Sequence, residues 1–376
     1  MIINIHHPDP GHQSYRAACV RSLYNVTEAD FKLTAEMPLD EEAWKIGAVV
    51  GPSGSGKSSI GRAIWGPKAL TKGRTAWPAD RPIIDGIAPK GDWQQVTAAL
   101  AAVGLGSVPA WLRPYQALST GERFRADLAR LIADPPPKVV IDEFTSVVDR
   151  QVAQVGSHAF AKAWRRTGGQ AVVLSCHYDI LPWLEPDWVF DTAEGRFYWA
   201  RGRLQRPQIK LDIFQAPQSF WRLFKAHHYL DLPPMLASTT YVGFVGETPV
   251  AHVAVSTRPG LVEARACRLV IMPEWQGAGV GLNFLEAVCG LWRHGRNRYN
   301  LPLRTLFHTS HPGLAAALRR RRGWTQVSAC LYGGDKARSA ASVARSAKAH
   351  GGWAPAAGYG GHFRAVQGFR YLGDSV

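Results

Sequence analysis

Two short glycine-rich runs, each set between an apolar run and a stretch of helical periodicity, constrain this chain more than anything else in it. The first is Gly51-Pro-Ser53-Gly54-Ser55-Gly56-Lys57-Ser58, after Ile46-Gly-Ala-Val-Val50. The second is Gln276-Gly277-Ala-Gly279-Val280-Gly281, after Arg268-Leu-Val-Ile-Met272. Glycines at a strand-to-helix turn let successive backbone N–H groups converge, and the first turn of the helix adds unpaired donors and the positive end of its dipole. Such turns hold phosphate groups. The spacing therefore predicts two α/β units, each with an anion cradle where a strand ends and a helix begins.

A chain of 376 residues has room for two hydrophobic cores. Its 46% hydrophobic and 19% charged content is that of a soluble globular protein and not of a disordered one. No apolar run is long enough for a membrane span, and Met1-Ile-Ile-Asn-Ile-His-His lacks the charged leader of a secreted protein. The five cysteines, Cys19, Cys176, Cys267, Cys289 and Cys330, form no C-x-x-C pair and read as free thiols in a reducing compartment. The expectation is a cytoplasmic protein.

The stretch from Asp187 to Pro207 reads as a closing hairpin and a basic linker, which puts the domain boundary near Gln205, with domains 1–205 and 206–376. Charge divides at the same place. Residues 206–376 carry 21 Lys and Arg against 8 Asp and Glu, or +13 of the total +15, whereas residues 1–205 carry 23 against 21. Such asymmetry points to a polyanion partner for the second half, nucleic acid above all, against the plainer reading of a solubilising surface. The Gly-, Ala-, Ser- and Lys/Arg-rich stretch 333–361 reads as a mobile basic loop before the strand-like 363–372.

The first glycine run is a complete Walker A loop. Lys57 reaches the β- and γ-phosphates of a nucleoside triphosphate, the Ser58 hydroxyl binds Mg²⁺, and Ser59 opens the helix. Lys138-Val-Val-Ile-Asp142-Glu143 supplies the acidic strand end, Asp142 for the Mg²⁺ shell and Glu143 to polarise the attacking water. With Leu118-Ser119-Thr-Gly121-Glu-Arg123, Ser146-Val-Val-Asp149 and Ser175-Cys-His177, residues 15–200 resemble the ATPase heads of the ABC type, through their signature, D-loop and switch histidine. That resemblance implies ATP hydrolysis with Glu143 and His177 as catalytic residues. The nucleotide would be held by Gly51, Ser53, Gly54, Ser55, Gly56, Lys57, Ser58 and Ser59, and Mg²⁺ by Ser58 and Asp142. It also implies a head-to-tail homodimer in which Ser119, Gly121 and Asp149 of one head meet the ATP of the other. The Q-loop residue is Gln94 or Gln95, with Gln95 preferred, and the adenine partner is Tyr24 or Phe31. Only 24 residues separate Gln95 from Ser119. The helical subdomain that docks on a membrane partner is thus abbreviated, and no membrane partner is expected.

The second run, in its context of hairpin, strand and helix, resembles the pyrophosphate loop of the GNAT superfamily. The resemblance covers residues 208–376 and implies a mixed α/β domain with splayed central strands, using acetyl-coenzyme A or another acyl-coenzyme A. Leu269, Val270 and Ile271 would line the pantetheine arm, and Gln276, Gly277, Gly279, Val280 and Gly281 would bind the diphosphate. No motif fixes the general base. His227, His228, Tyr229, His308, His311 and Glu263 are candidates, with His228 and Tyr229 taken. Phe224-Lys-Ala-His227-His228-Tyr229, and Gly361-His362 through Gly373, are similar to motifs of the Mom group, GNAT-like phage proteins that modify adenine in DNA. Arg319, Arg320, Arg321 and Arg322 would neutralise phosphates. The expected function is an ATPase fused to an acyltransferase acting on nucleic acid, DNA in particular. The alternatives are an N-acetyltransferase for lysines or small amines, and an ATP-dependent nucleic-acid clamp whose second half only binds.

Overall fold

Apolar, β-branched runs bounded by Gly, Pro and Asp become strands here, and segments with apolar residues three and four apart become helices. The computed structural model describes residues 1–9, 14–24, 30–71, 77–228, 234–235, 237–257, 263–330 and 366–373. Up to the second half the elements are β1 (Ile2–His7), α1 (Tyr15–Tyr24), β2 (Phe31–Glu36), β3 (Ile46–Val50), α2 (Lys57–Trp65), β4 (Leu70–Thr71), α3 (Ile83–Ile87), α4 (Trp93–Ala102), α5 (Val108–Trp111), α6 (Thr120–Ala133), β5 (Lys138–Ile141), α7 (Arg150–Trp164), β6 (Gln170–Ser175), α8 (Leu181–Leu184), β7 (Trp188–Asp191) and β8 (Arg196–Trp199). Then follow β9 (Asp212–Ala216), α9 (Trp221–Phe224), β10 (Thr239–Val245), β11 (Thr248–Thr257), β12 (Glu263–Ile271), α10 (Val280–Arg293), β13 (Arg304–Thr309), α11 (Pro312–Arg320), β14 (Trp324–Cys330) and β15 (Val366–Tyr371). The chain divides into two units, Met1–Ala79 with Leu118–Pro207, and Asp80–Ala117 with Gln208–Val376.

In the first unit a six-stranded sheet runs in the order β4-β5-β6-β3-β7-β8, parallel except for β8. All five residues of β3 are buried, as a central parallel strand covered on both faces requires. A Cβ on Gly47 would lie 2.0 Å from the Trp188 ring, so only glycine lets β3 and β7 approach. The small β1–β2 sheet shares the core through Ile3, Ala35 and Met37. Asp187 ties the starts of β3 and β7 together. Its buried carboxylate accepts the N–H groups of Lys45 (2.8 Å) and Ile46 (2.9 Å) and pairs with Arg165 and Arg201 at 3.0 Å each.

The second unit holds a seven-stranded sheet, β14-β15-β13-β12-β11-β10-β9. β12 and β13 are parallel, and their neighbours pair antiparallel. The β12–β13 ladder covers only Glu263–Ala266 against Arg304–Phe307, so from Cys267 onward β12 has left its parallel partner. On its other edge the β11–β12 register slips between His252 and Ala254, where Arg268 adopts φ 54°. α10 buries Phe284, Leu285, Val288 and Trp292.

Segment 80–117, which chain order alone leaves inside 1–205, packs within this second unit. α4 lies against α11, close enough that a Cβ on Gly313 would sit 2.3 Å from that of Ala101. The Trp111 ring meets His311 edge-on at 5.4 Å. The apolar side of the segment (Val96, Ala99, Leu100, Ala110, Trp111) is buried. Its burial depends on residues some 200 positions away, which no local pattern records.

Asp187→Ala would strand two N–H groups and two guanidinium groups. The expected loss is about 3 kcal/mol, read as a lower urea midpoint of the full chain. Burial alone raises the Asp187 pKa, but the Ile46 and Lys45 N–H groups and the Arg165 charge outweigh it and hold the carboxyl below its usual value. Its contribution is therefore present above the ordinary carboxylate range and lost as pH falls through the lowered value. A variant with the same acid midpoint as the wild type would refute this role.

Candidate functional site

Where β3 ends, Gly54 and Gly56 take φ 80° and 87°, and Gly56 is the N-cap of α2. Left-handed glycines there turn the backbone N–H groups of the loop inward. A Cβ on Gly54 would meet nothing within 4 Å, so the loop is open at that position. The loop borders a cavity of about 540 Å³ lined by His7, Phe31, Ser53, Gly54, Gly56, Lys57, Ser58, Ser59, Asp142, Glu143, Ser146, Val147, Leu174 and Cys176. Lys57 Nζ donates to the carbonyls of Gly51 (2.8 Å) and Pro52 (2.5 Å), and partial burial lowers its pKa. Ser58 Oγ donates to both Asp142 oxygens, at 3.1 and 2.9 Å. A hydroxyl on a carboxylate beside an open N–H cradle fits a phosphate-bound Mg²⁺, an ion that takes one or two protein ligands and leaves the rest to phosphate and water. Among the described residues no group of three or more His, Cys, Asp or Glu is arranged to hold a metal unaided.

Glu143 follows Asp142 at the end of β5 in a left-handed conformation, φ 53°, which costs a non-glycine residue about 1 kcal/mol. The turn is held by the Glu143 N–H on Asp142 Oδ1 (3.0 Å) and by Ser146 Oγ on the Glu143 carbonyl (2.6 Å). His177 lies outside the cavity lining. Its N–H donates to Ser175 Oγ (3.1 Å), and its Nδ1 is 3.3 Å from Thr145 Oγ1, one position beyond Phe144 in the same turn. Burial, and then the Arg150 charge, lower its pKa, so the ring is neutral at pH 7.

Phe31 lines the cavity; the side chain of Tyr24 lies outside the described part. His7, absent from the sequence reading, stands beside Phe31 with ring centroids 5.9 Å apart and with Nε2 3.0 Å from Ser59 Oγ. The two are cross-strand partners in β1 and β2, a pairing with no local signal. Ser119 is the exposed N-cap of α6 in a reciprocal capping box with Glu122. Asp149 caps α7, and Gly121 faces Val152 of that helix. None of the three lines the cavity.

Gln94 and Gln95 are exposed on the first turn of α4, in the second unit. The Gln95 N–H is spent on its helix cap, Asp92.

The second cradle repeats the first. Gly277 and Gly279 take φ 97° and 85°, Gly279 is the N-cap of α10, and a Cβ on Gly279 would meet open space. A Cβ on Gly281 would lie 2.9 Å from Ile271 Cγ1, so that glycine serves helix–strand packing. Val280 is buried in the first turn of α10. Leu269, Val270 and Ile271 lie on the part of β12 that has left β13. Gln276 is the exception among the expected diphosphate residues. Its Oε1 accepts the Gly106 N–H (3.0 Å) and its Nε2 donates to the Ile271 carbonyl (2.9 Å), so the side chain braces segment 80–117.

Among the proposed bases, His311 caps α11 through Nδ1 and is buried, which lowers its pKa. Glu263 is paired with Arg370 at 3.0 Å. His227 lies in a short turn, His308 on β13, and His228 edge-on to Trp221 at 5.6 Å. Tyr229 lies outside the described residues, as do 331–365, which hold the basic loop and residues 361–365 of the second Mom-like stretch. Of the four arginines, Arg319 bonds Gln326 and Gln367, and Arg321 bonds Asn283 and Glu286. Among the described residues Arg320 and Arg322 are exposed without such partners.

No family model matches this chain. The cytochrome c biogenesis ATP-binding export protein CcmA of Rhodospirillum rubrum is 32% identical over 160 residues, covering 35% of this chain and 68% of that protein. The protein of the same name from Paramagnetospirillum magneticum is 30% identical over 166 residues, covering 35% and 75%. Among solved structures, a dimeric post-hydrolysis ATP-binding cassette bound to ADP and phosphate aligns with 47% of this chain and 94% of its own, at 15% identity and a TM-score of 0.37.

Phe31 is an aromatic side chain in the cavity lining. Phe31→Ala is expected to weaken binding of a fluorescent adenine nucleotide about 10-fold, the scale of one base–aromatic stack. Unchanged affinity by fluorescence titration would remove Phe31 from the site.

Proposed function

This chain belongs to the ATP-binding cassette family of ATPases, and from that premise we propose that its first unit drives ATP hydrolysis in a head-to-tail dimer while its second transfers an acyl group from coenzyme A to a nucleic acid. ATP binding, with Mg²⁺, and hydrolysis follow from the family. The finer roles rest on geometry. Lys57 and the N–H groups of the Gly51–Gly56 loop bind the phosphates, Ser58 and Asp142 hold the metal, and Glu143 takes the proton of the attacking water. Ser119 and Gly121, at the exposed start of α6, are available to the nucleotide of a second copy; unpaired N–H groups there favour a γ-phosphate.

The single observation that carries the acyltransferase reading is the parting of β12 from β13 just before the Gly277–Gly281 turn. A strand edge without a ladder partner offers its N–H and C=O groups to an extended amide-containing arm, and the turn beyond it offers N–H groups to a diphosphate. When bound, acyl-coenzyme A would supply an activated thioester, and the chain's own part would be to bind and orient it. The seven-strand order, with one parallel pair at its centre, supports a GNAT-type domain. The nucleic-acid acceptor is supported by the +13 charge of residues 206–376 and by exposed Arg320 and Arg322.

The relatives are named as export proteins, and export is the competing reading. Against it, α4 is covered by α11, and Gly106 is bonded to Gln276 within the same chain. The helical segment that would meet a membrane partner thus has an intramolecular one.

Glu143→Gln is expected to lower ATP turnover more than 100-fold while ATP stays bound, and to accumulate dimers in light scattering. Turnover at the wild-type rate would show that Glu143 is not the base. For the second unit, the full chain incubated with labelled acetyl-coenzyme A, Mg-ATP and DNA should place label in the nucleoside fraction. Gly279→Glu, which sets bulk and negative charge against the diphosphate, should abolish this. Label found only in protein or in free amines would replace the nucleic-acid reading with one of its alternatives.

A further inference from the structure

Next to the parting strands stands a set of buried polar groups that the reading above leaves unused. His252, on β11, is only 1% exposed. Its Nδ1 lies 3.0 Å from the carbonyl of Arg268, the residue of the β12 bulge. A carbonyl can only accept, so Nδ1 carries the proton and Nε2 presents a lone pair. Nε2 is buried with no hydrogen-bond partner. Burial first, aided by the Arg268 charge, pushes the His252 pKa down to about 4, so the ring is neutral at pH 7.

Arg268 itself is half-buried. Its guanidinium lies 5.8 Å from the centre of the Trp221 ring, against which His252 also packs at 5.0 Å. The Arg268 Nε is buried without an acceptor, as is that of Arg265, three residues back on the same strand. Among the described residues no carboxylate pairs with Arg268. An arginine kept partly out of water normally has an anionic partner, because desolvation costs it several kcal/mol otherwise. An unpaired buried acceptor beside it is a second, independent deficit.

We propose that Arg268 and His252 form a ligand-recognition site where β12 leaves β13, in which Arg268 binds a carboxylate or phosphate of the ligand and His252 Nε2 accepts a hydrogen bond from a neighbouring N–H or O–H of the same ligand. The inference rests on the coenzyme A reading of the second unit. Arg268 is two residues into the part of β12 free of β13, between the end of the ladder and the glycine turn. An arm lying along that edge toward the turn passes it. The anion has two possible sources, a carboxylate on the acyl group or a phosphate on the acceptor.

Calorimetry on the full chain separates them. One arm compares malonyl- and succinyl-coenzyme A with acetyl-coenzyme A. The other compares deoxyadenosine monophosphate with deoxyadenosine on protein saturated with acetyl-coenzyme A. In one arm the anionic member should bind about 10–100-fold tighter, the range of a charge-assisted hydrogen bond. Arg268→Gln should bring that ratio to one, and Arg268→Lys should retain part of it. His252→Phe should weaken the anionic and neutral members alike, by removing the acceptor for the ligand's N–H or O–H, and leave their ratio in place. Because the readout is a ratio measured on the same variant, a general loss of folding or of coenzyme A affinity does not imitate it. Equal affinities in both arms, with acetyl-coenzyme A bound, would overturn the anion site and leave the coenzyme A reading standing. No binding of any coenzyme A thioester by the folded wild type would sink that reading and the inference with it.

Discussion

A left-handed glycine placed immediately before a helix is the constraint from which both units are built. Gly56 (φ 87°) caps α2 and Gly279 (φ 85°) caps α10, and each follows a strand that must end at a fixed depth in its sheet. An L-residue with a Cβ would pay the left-handed penalty at either position and narrow the cradle. The helix N-terminus then contributes donors that have no intrahelical partner, so groups suited to an anion are in place before any side chain is considered. What the surrounding sequence adds is placement. Gly47 lets β3 lie against Trp188, Asp187 fixes the starts of β3 and β7, and Gly281 seats α10 against Ile271.

Placement also explains why a residue expected to bind ligand is employed elsewhere. Gln276 lies at the start of the second cradle, and its amide is divided between Gly106 and the last carbonyl of β12. The same contact orders the turn after α4 and the exit of β12, so the loop shape and the docking of segment 80–117 are coupled. That segment continues directly, through Ala117 and Leu118, to Ser119.

The sequence was most legible where chemistry and local geometry coincide. The Walker loop, the Asp142–Glu143 strand end and the Gly277–Gly281 turn each lie within a single strand–turn–helix unit, whose residues are neighbours in the chain. Ser119 and Asp149 were read only as signature and D-loop residues; that they cap α6 and α7 is seen in the fold. His7 was not legible, because it reaches the cavity only through its pairing with Phe31 across 24 residues. Gln94 and Gln95 were Q-loop candidates by chain order, which does not record that both lie in the first turn of α4. Arg319 and Arg321 read as part of a basic run, yet their guanidinium groups are held by Gln326, Gln367, Asn283 and Glu286, partners that only the fold brings near.

The two units also share a way of holding positive charge. Lys57 rests on the carbonyls of Gly51 and Pro52, and Arg268 rests over Trp221; partial burial lowers the pKa of both. Among the described residues neither cation is held by a direct carboxylate salt bridge in the way that Asp187 holds Arg165 and Arg201. A fully satisfied ion pair would make each site more stable and less receptive, since an incoming anion would have to displace the resident one. Neutral oxygens and a ring face fix the position of the charge while leaving its strongest interaction unmade. An anion entering either proposed site would find a positioned cation already partly out of water, a condition that strengthens a charge-assisted hydrogen bond.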